Sequence, residues 1–105
     1  MSGYRELLID ICKGIVPNDE EKTILSDMRS VDLSGTKITS IEQLIPFISR
    51  VRKFDLNNTA ITVLPDNINF LQDLEEVSAF MFSFNEKGYK PSLILLIFRG
   101  IKVLW

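Results

Sequence analysis

Apolar positions in this chain follow three successive patterns. Near the N-terminus, Leu7, Leu8, Ile11, Cys12 and Ile15 recur at the spacing of one helix face, with Ser2 as a candidate start and Gly14 as a candidate stop. A second helix is predicted to begin at Asn18. Asn18 and Glu21 have capping-box spacing, and the acids Asp19, Glu20 and Glu21 fall where a helix dipole favours them. Ile24, Leu25 and Met28 would be its buried face. From Met28 onward short alternating runs appear, as in strands with one buried face. Each run is followed by apolar residues at wider, helix-like spacing, such as Ile41, Leu44, Ile45 and Ile48. Pro46 lies inside the first of these, so that segment should be short or kinked.

The alternating runs repeat. Residues 28–50 and 51–73 align without gaps over 23 positions. Asp32, Leu33, Thr36, Ile38, Thr39, Ile45 and Phe47 are matched by Asp55, Leu56, Thr59, Ile61, Thr62, Ile68 and Phe70. Met28, Val31, Leu33, Thr36 and Ile38, then Val51, Phe54, Leu56, Thr59 and Ile61, fit the pattern L-x-x-L-x-L-x-x-N/C-x-L. Leu64-Pro65, Ile68, Leu71 and Leu74 continue the second copy. In these residues the chain resembles the leucine-rich-repeat family. Thr36 and Thr59 stand where that family usually has Asn, so an asparagine ladder is not expected and the turns should be tied less tightly. A third copy over 74–97 is degenerate. Phe98, Ile101 and Val103 restore the strand motif in 98–105.

The resemblance implies an α/β leucine-rich-repeat solenoid, with a short parallel sheet on one face and residues 1–27 as an N-terminal helical cap. A single coil cannot bury its own apolar face, so stacking of about three or more is required. Outward residues of stacked strands would then form columns. Arg29, Arg52, Glu75 and Arg99 make one column; Ser30, Lys53, Glu76 and Gly100 the next; then Asp32, Asp55, Ser78 and Lys102; then Ser34, Asn57, Phe80 and Leu104. Phe80, Met81, Leu104 and Trp105 would gather into an apolar patch. Such a patch is either an interaction site or core beneath a C-terminal loop.

Composition narrows the function classes. The 105 residues are 46% apolar and 25% charged, ordinary for a globular chain. The net charge of −2 argues against nucleic acid as a partner. There is no histidine and one cysteine, which removes imidazole chemistry, intrachain disulfides and Cys₂ or Cys₄ metal sites. No cofactor is expected. The first fifteen residues carry Arg5, Glu6, Asp10 and Lys13, so they contain no clean signal-peptide core. The run Leu93–Phe98 is too short to cross a bilayer. A cytoplasmic protein, or one delivered to a host cytosol by signal-independent secretion, is the expectation.

Asp32 and Asp55 would face each other on adjacent strands at a separation suited to a carboxylate pair. Repetition of one solvated position is the better explanation, because no pocket is implied around them. Family resemblance therefore implies a non-catalytic module that binds a protein partner through Arg29, Arg52, Lys53, Asp55, Asn57, Glu75, Phe80 and Trp105. The alternative is a structural protein that homodimerises through the C-terminal strand edge.

Overall fold

In a computed structural model the chain is described for residues 4–62, 64–78 and 96–104. It is a mixed α/β protein with a four-stranded parallel sheet. The elements run α1 (Arg5–Cys12), α2 (Asp19–Ser26), β1 (Ser30–Asp32), β2 (Lys53–Asp55), β3 (Glu76–Ser78) and β4 (Lys102–Leu104), in that chain order and with sheet order β1-β2-β3-β4. Two 3₁₀ turns interrupt the connections, Ile45–Phe47 after β1 and Asp66–Phe70 after β2. The first is only one turn long and contains Pro46, which has no amide to extend a helical ladder.

The start of α2 and the end of α1 have local causes. At α2 the Asn18 side chain accepts from the Glu21 amide, and the Glu21 side chain accepts from the Asn18 amide, both at 2.8 Å. Two amides that the helix cannot pair are satisfied this way. At the end of α1, Gly14 takes a φ of +107°, a left-handed conformation that costs glycine little. The Gly14 amide donates to the Ile11 carbonyl and the Ile15 amide to Asp10, which closes the helix. This reversal takes Ile15 off the helix face. Ile15 is 57% exposed, contrary to the expectation that it is buried with Leu8 and Ile11. On α2, Leu25 is fully buried, but Ile24 and Met28 are only half-buried.

The sheet pairs Ser30 with Lys53 and Lys53 with Glu76, so that equivalent residues of the aligned stretches lie side by side. Alternate residues point inward, and Val31, Phe54 and Val77 are buried. They join one apolar cluster with Ile41, Ile45, Ile48, Ile68 and Leu71 from the connections. The core therefore lies between the strands and the segments that return from them. The strand interior has no alternative register, because a slip of one residue would carry Phe54 to the surface.

At β4 the register differs from the sequence expectation. Glu76 pairs with Lys102, Val77 with Val103 and Ser78 with Leu104. The motif Phe98-Ile101-Val103 predicts Ile101 opposite Val77, two residues out of step with this pairing. Ile101 is buried below the strand, and its amide donates to the Leu96 carbonyl. The connection between β3 and β4 is longer than the 23-residue interval, and periodicity alone does not say how the extra residues are absorbed.

Candidate functional site

The outward surface of β1–β4 carries most of the residues singled out from the sequence. Arg29, Arg52 and Glu75 form one row. The Arg52 amide donates to the Arg29 carbonyl at 2.7 Å, and the Glu75 amide to the Arg52 carbonyl at 2.8 Å. All three side chains are exposed, and Arg52 Nε lies 3.6 Å from Glu75 Oε2. The next row is Ser30, Lys53, Glu76 and Lys102, and there Lys102 Nζ lies 3.9 Å from Glu76 Oε1. The third row is Asp32, Asp55, Ser78 and Leu104. Thus Arg29, Arg52 and Glu75 are aligned just ahead of the strands, Lys53 and Asp55 lie on the outward side of β2, and Asn57 follows in the half-buried turn after it. Phe80, Met81 and Trp105 lie outside the described residues. Leu104, 42% exposed, sits beside Ser78.

Arg99 is not on this face. Its guanidinium donates to the Asn69 and Leu71 carbonyls, both at 2.9 Å. It therefore caps the end of the Asp66–Phe70 turn on the return side. Gly100 and Lys102 leave the expected columns for the same reason, the shifted register of β4.

Each of the two aspartates holds a turn. Asp32 Oδ1 accepts from the Ser34 amide at 2.9 Å and from the Ser34 hydroxyl at 2.6 Å. Those two bonds, the hydroxyl one foremost, lower the Asp32 pKa, and the Arg5 guanidinium adds to the effect. Asp55 Oδ1 accepts from the Asn57 amide at 3.0 Å. The turns that follow place Gly35 at φ +75° and Asn58 at φ +59°, the same left-handed step in both copies. Thr36 and Thr59 donate their hydroxyls to Leu33 and Leu56 carbonyls within their own turns, at 2.7 and 3.0 Å. Backbone bonds tie these two turns to each other. Gly35 donates to the Asn57 carbonyl and Ala60 to the Ile38 carbonyl.

Sequence reasoning missed Arg5. From α1 it reaches the β1 edge, where Nη1 donates to the Asp32 carbonyl at 3.1 Å and Nη2 donates to the Ser34 carbonyl. Nη1 also lies 3.7 Å from Asp32 Oδ1. Nothing in the spacing of residues 4–15 signals this contact, because it depends on how α1 docks.

Two concavities lie elsewhere. An open cleft of about 350 Å³ is lined by Cys12, Lys13, Lys37, Ile38 and Thr39. Burial pushes the Cys12 thiol up to about 11, so it stays protonated at neutral pH and is a poor nucleophile. A groove of about 270 Å³ runs between the two 3₁₀ turns, lined by Ile45, Pro46, Ser49, Asn67, Phe70 and Leu71. Among the described residues no cluster of acids and cysteine is placed to hold a metal ion, and no helix is long and apolar enough to cross a membrane. No protein-family model, no curated protein and no solved structure matches this chain.

Proposed function

We propose that this chain is a small leucine-rich-repeat interaction module, a short solenoid with α1 and α2 as its N-terminal cap. It binds a protein partner through the outward face of β1–β4 and catalyses no reaction. The observation that carries this reading is the in-register stacking of equivalent exposed residues. Arg29, Arg52 and Glu75 are aligned just ahead of the strands, and Ser30, Lys53 and Glu76 are paired beside them, with Asp32, Asp55 and Ser78 in the next outward row. Rigid elements bind with less ordering cost than loops, and a charged, regular face favours a partner over a small molecule. The aspartates support it too, since their oxygens hold turns rather than converge on a pocket.

The test is affinity capture from cells that make the protein, with steric blockers of unchanged charge. Ser30→Trp obstructs the strand face, and Ser49→Trp obstructs the return side; both positions are exposed. A partner lost on Ser30→Trp and retained on Ser49→Trp supports the reading. The reverse pattern sinks it.

A second reading rests on β4. Val103 is half-buried where its row-mates Val31, Phe54 and Val77 are buried, and Leu104 beside it is exposed. Pairing of this edge with a second copy would cover both. Light scattering over a dilution series distinguishes the readings: a persistent dimer that Leu104→Lys splits favours self-assembly.

A further inference from the structure

Arg29 and Arg52 occupy the same position in the two aligned stretches, each just ahead of a strand. The bond from the Arg52 amide to the Arg29 carbonyl places them side by side across the sheet. Neighbouring strands are ~4.8 Å apart, and like charges directly opposite one another destabilise a sheet. Lys53 follows Arg52 and is exposed as well, so three cations fall within two adjacent rows of a chain whose net charge is −2.

Four acids, Asp32, Asp55, Glu75 and Glu76, share these rows, and each already has a partner. Glu75 pairs with Arg52, and Glu76 with Lys102, both as exposed contacts of the kind worth little. Asp32 and Asp55 direct an oxygen to turn amides, and Asp32 also faces Arg5. Among the described residues Arg29 and Lys53 form no ion pair.

We propose that Arg29, Arg52 and Lys53 are the contact point for a short acidic segment of a protein partner. This rests on the strand-face reading above and names the chemistry of its partner. Guanidinium groups take carboxylates through paired N–H donors, which suits two arginines set at strand spacing. The segment is short because the same rows continue into Glu75 and Glu76, which would repel a long polyanion. That repulsion favours an acidic peptide over a nucleic acid. Glu75 is then an internal competitor. It occupies Arg52 in the free protein and must yield when a partner carboxylate arrives.

The probe is a fluorescein-labelled octaglutamate peptide, titrated with the full chain and read by fluorescence anisotropy. Saturable binding that weakens with salt is expected. Arg29→Gln should weaken it by about tenfold or more. Glu75→Gln should tighten it by roughly threefold, because Arg52 is released. Lys22→Gln, an equal loss of charge on the exposed surface of α2, should leave it unchanged. Absence of binding to the native chain overturns the proposal, as does an equal loss on Lys22→Gln. An eight-nucleotide single strand that binds more tightly than the peptide overturns it in favour of nucleic acid. A captured partner that Ser30→Trp removes and Arg29→Gln does not would leave the strand-face reading standing and remove the acidic segment.

Discussion

Asp32 and Asp55 occupy one repeated position and do the same work, each folding its carboxylate back onto the amide two residues on. Asp32 does more, since it also takes the Ser34 hydroxyl and lies beside Arg5. Asp32→Ala removes the acceptor and should cost about 1 kcal/mol, the usual worth of such bonds. Asp32→Asn keeps an oxygen in place and should cost less. The pH dependence separates charge from geometry. The Asp32 pKa is lowered in the folded state, chiefly by the Ser34 hydroxyl and amide. Its ionised form therefore contributes stability above the ordinary carboxylate pKa of ~3.9, and that contribution is lost as pH falls through the lowered folded value. Urea denaturation should accordingly show the native chain ahead of Asp32→Asn at neutral pH and level with it in strong acid. A gap that persists unchanged into acid would mean the carboxylate charge is irrelevant to the turn.

At the scale of single elements, local rules were the most legible part of this chain. The capping box at Asn18 and Glu21 is written in two residues at fixed spacing, and both of its hydrogen bonds form. Asn18→Ala should cost about 1 kcal/mol in chemical denaturation, and Asn18→Ser much less, because serine restores the acceptor. Equal losses for the two would show that α2 does not depend on its cap. Gly14 as the end of α1 and Pro46 as the limit on its segment follow from conformational chemistry that needs no partner. The alternation of Val31 with Leu33 and of Phe54 with Leu56 was legible for the same reason, and all four are buried. What escaped was the part that depends on tertiary placement. Arg5 and Arg99 each donate to carbonyls 27 or more residues away, and no local pattern announces such a reach. The shift at β4 escaped because a long connection lets the next strand enter at more than one offset. The rows of the strand face were legible from β1 to β3, where Ser30, Lys53 and Glu76 align as the repeat predicts, and were displaced at β4, where Lys102 takes the place expected for Gly100.

At the scale of the whole molecule the strands differ in how well they are held. Successive inward residues Val31, Phe54 and Val77 are no more than 1% exposed, and each belongs to a core fed from both sides along the chain. Val103 closes this series in a half-buried position, and Leu104 and Phe98 near it are exposed, Phe98 at 82%. Burial of apolar area is the largest favourable contribution to folding, so stability should decline along the sheet from β2 toward β4. At the opposite edge the case is different. Arg5 ties α1 to the carbonyls of Asp32 and Ser34, and Leu8 and Ile11 extend the core beneath it. Opening of β4 releases an inward residue that is only half-buried, whereas opening of β1 must also detach a helix. Native-state hydrogen exchange reads this directly, because amides open in cooperative units of unequal free energy. The Lys102 amide, bonded to the Glu75 carbonyl, should exchange well before the Leu33 amide, bonded to Asp55, and the Leu56 amide, bonded to Ser78. An acidic peptide bound over Arg29 and Arg52 should slow exchange at β1 and β2 and leave Lys102 as it was. Uniform protection across all four strands would mean that the sheet opens only as a unit and that half-burial of Val103 carries no energetic consequence.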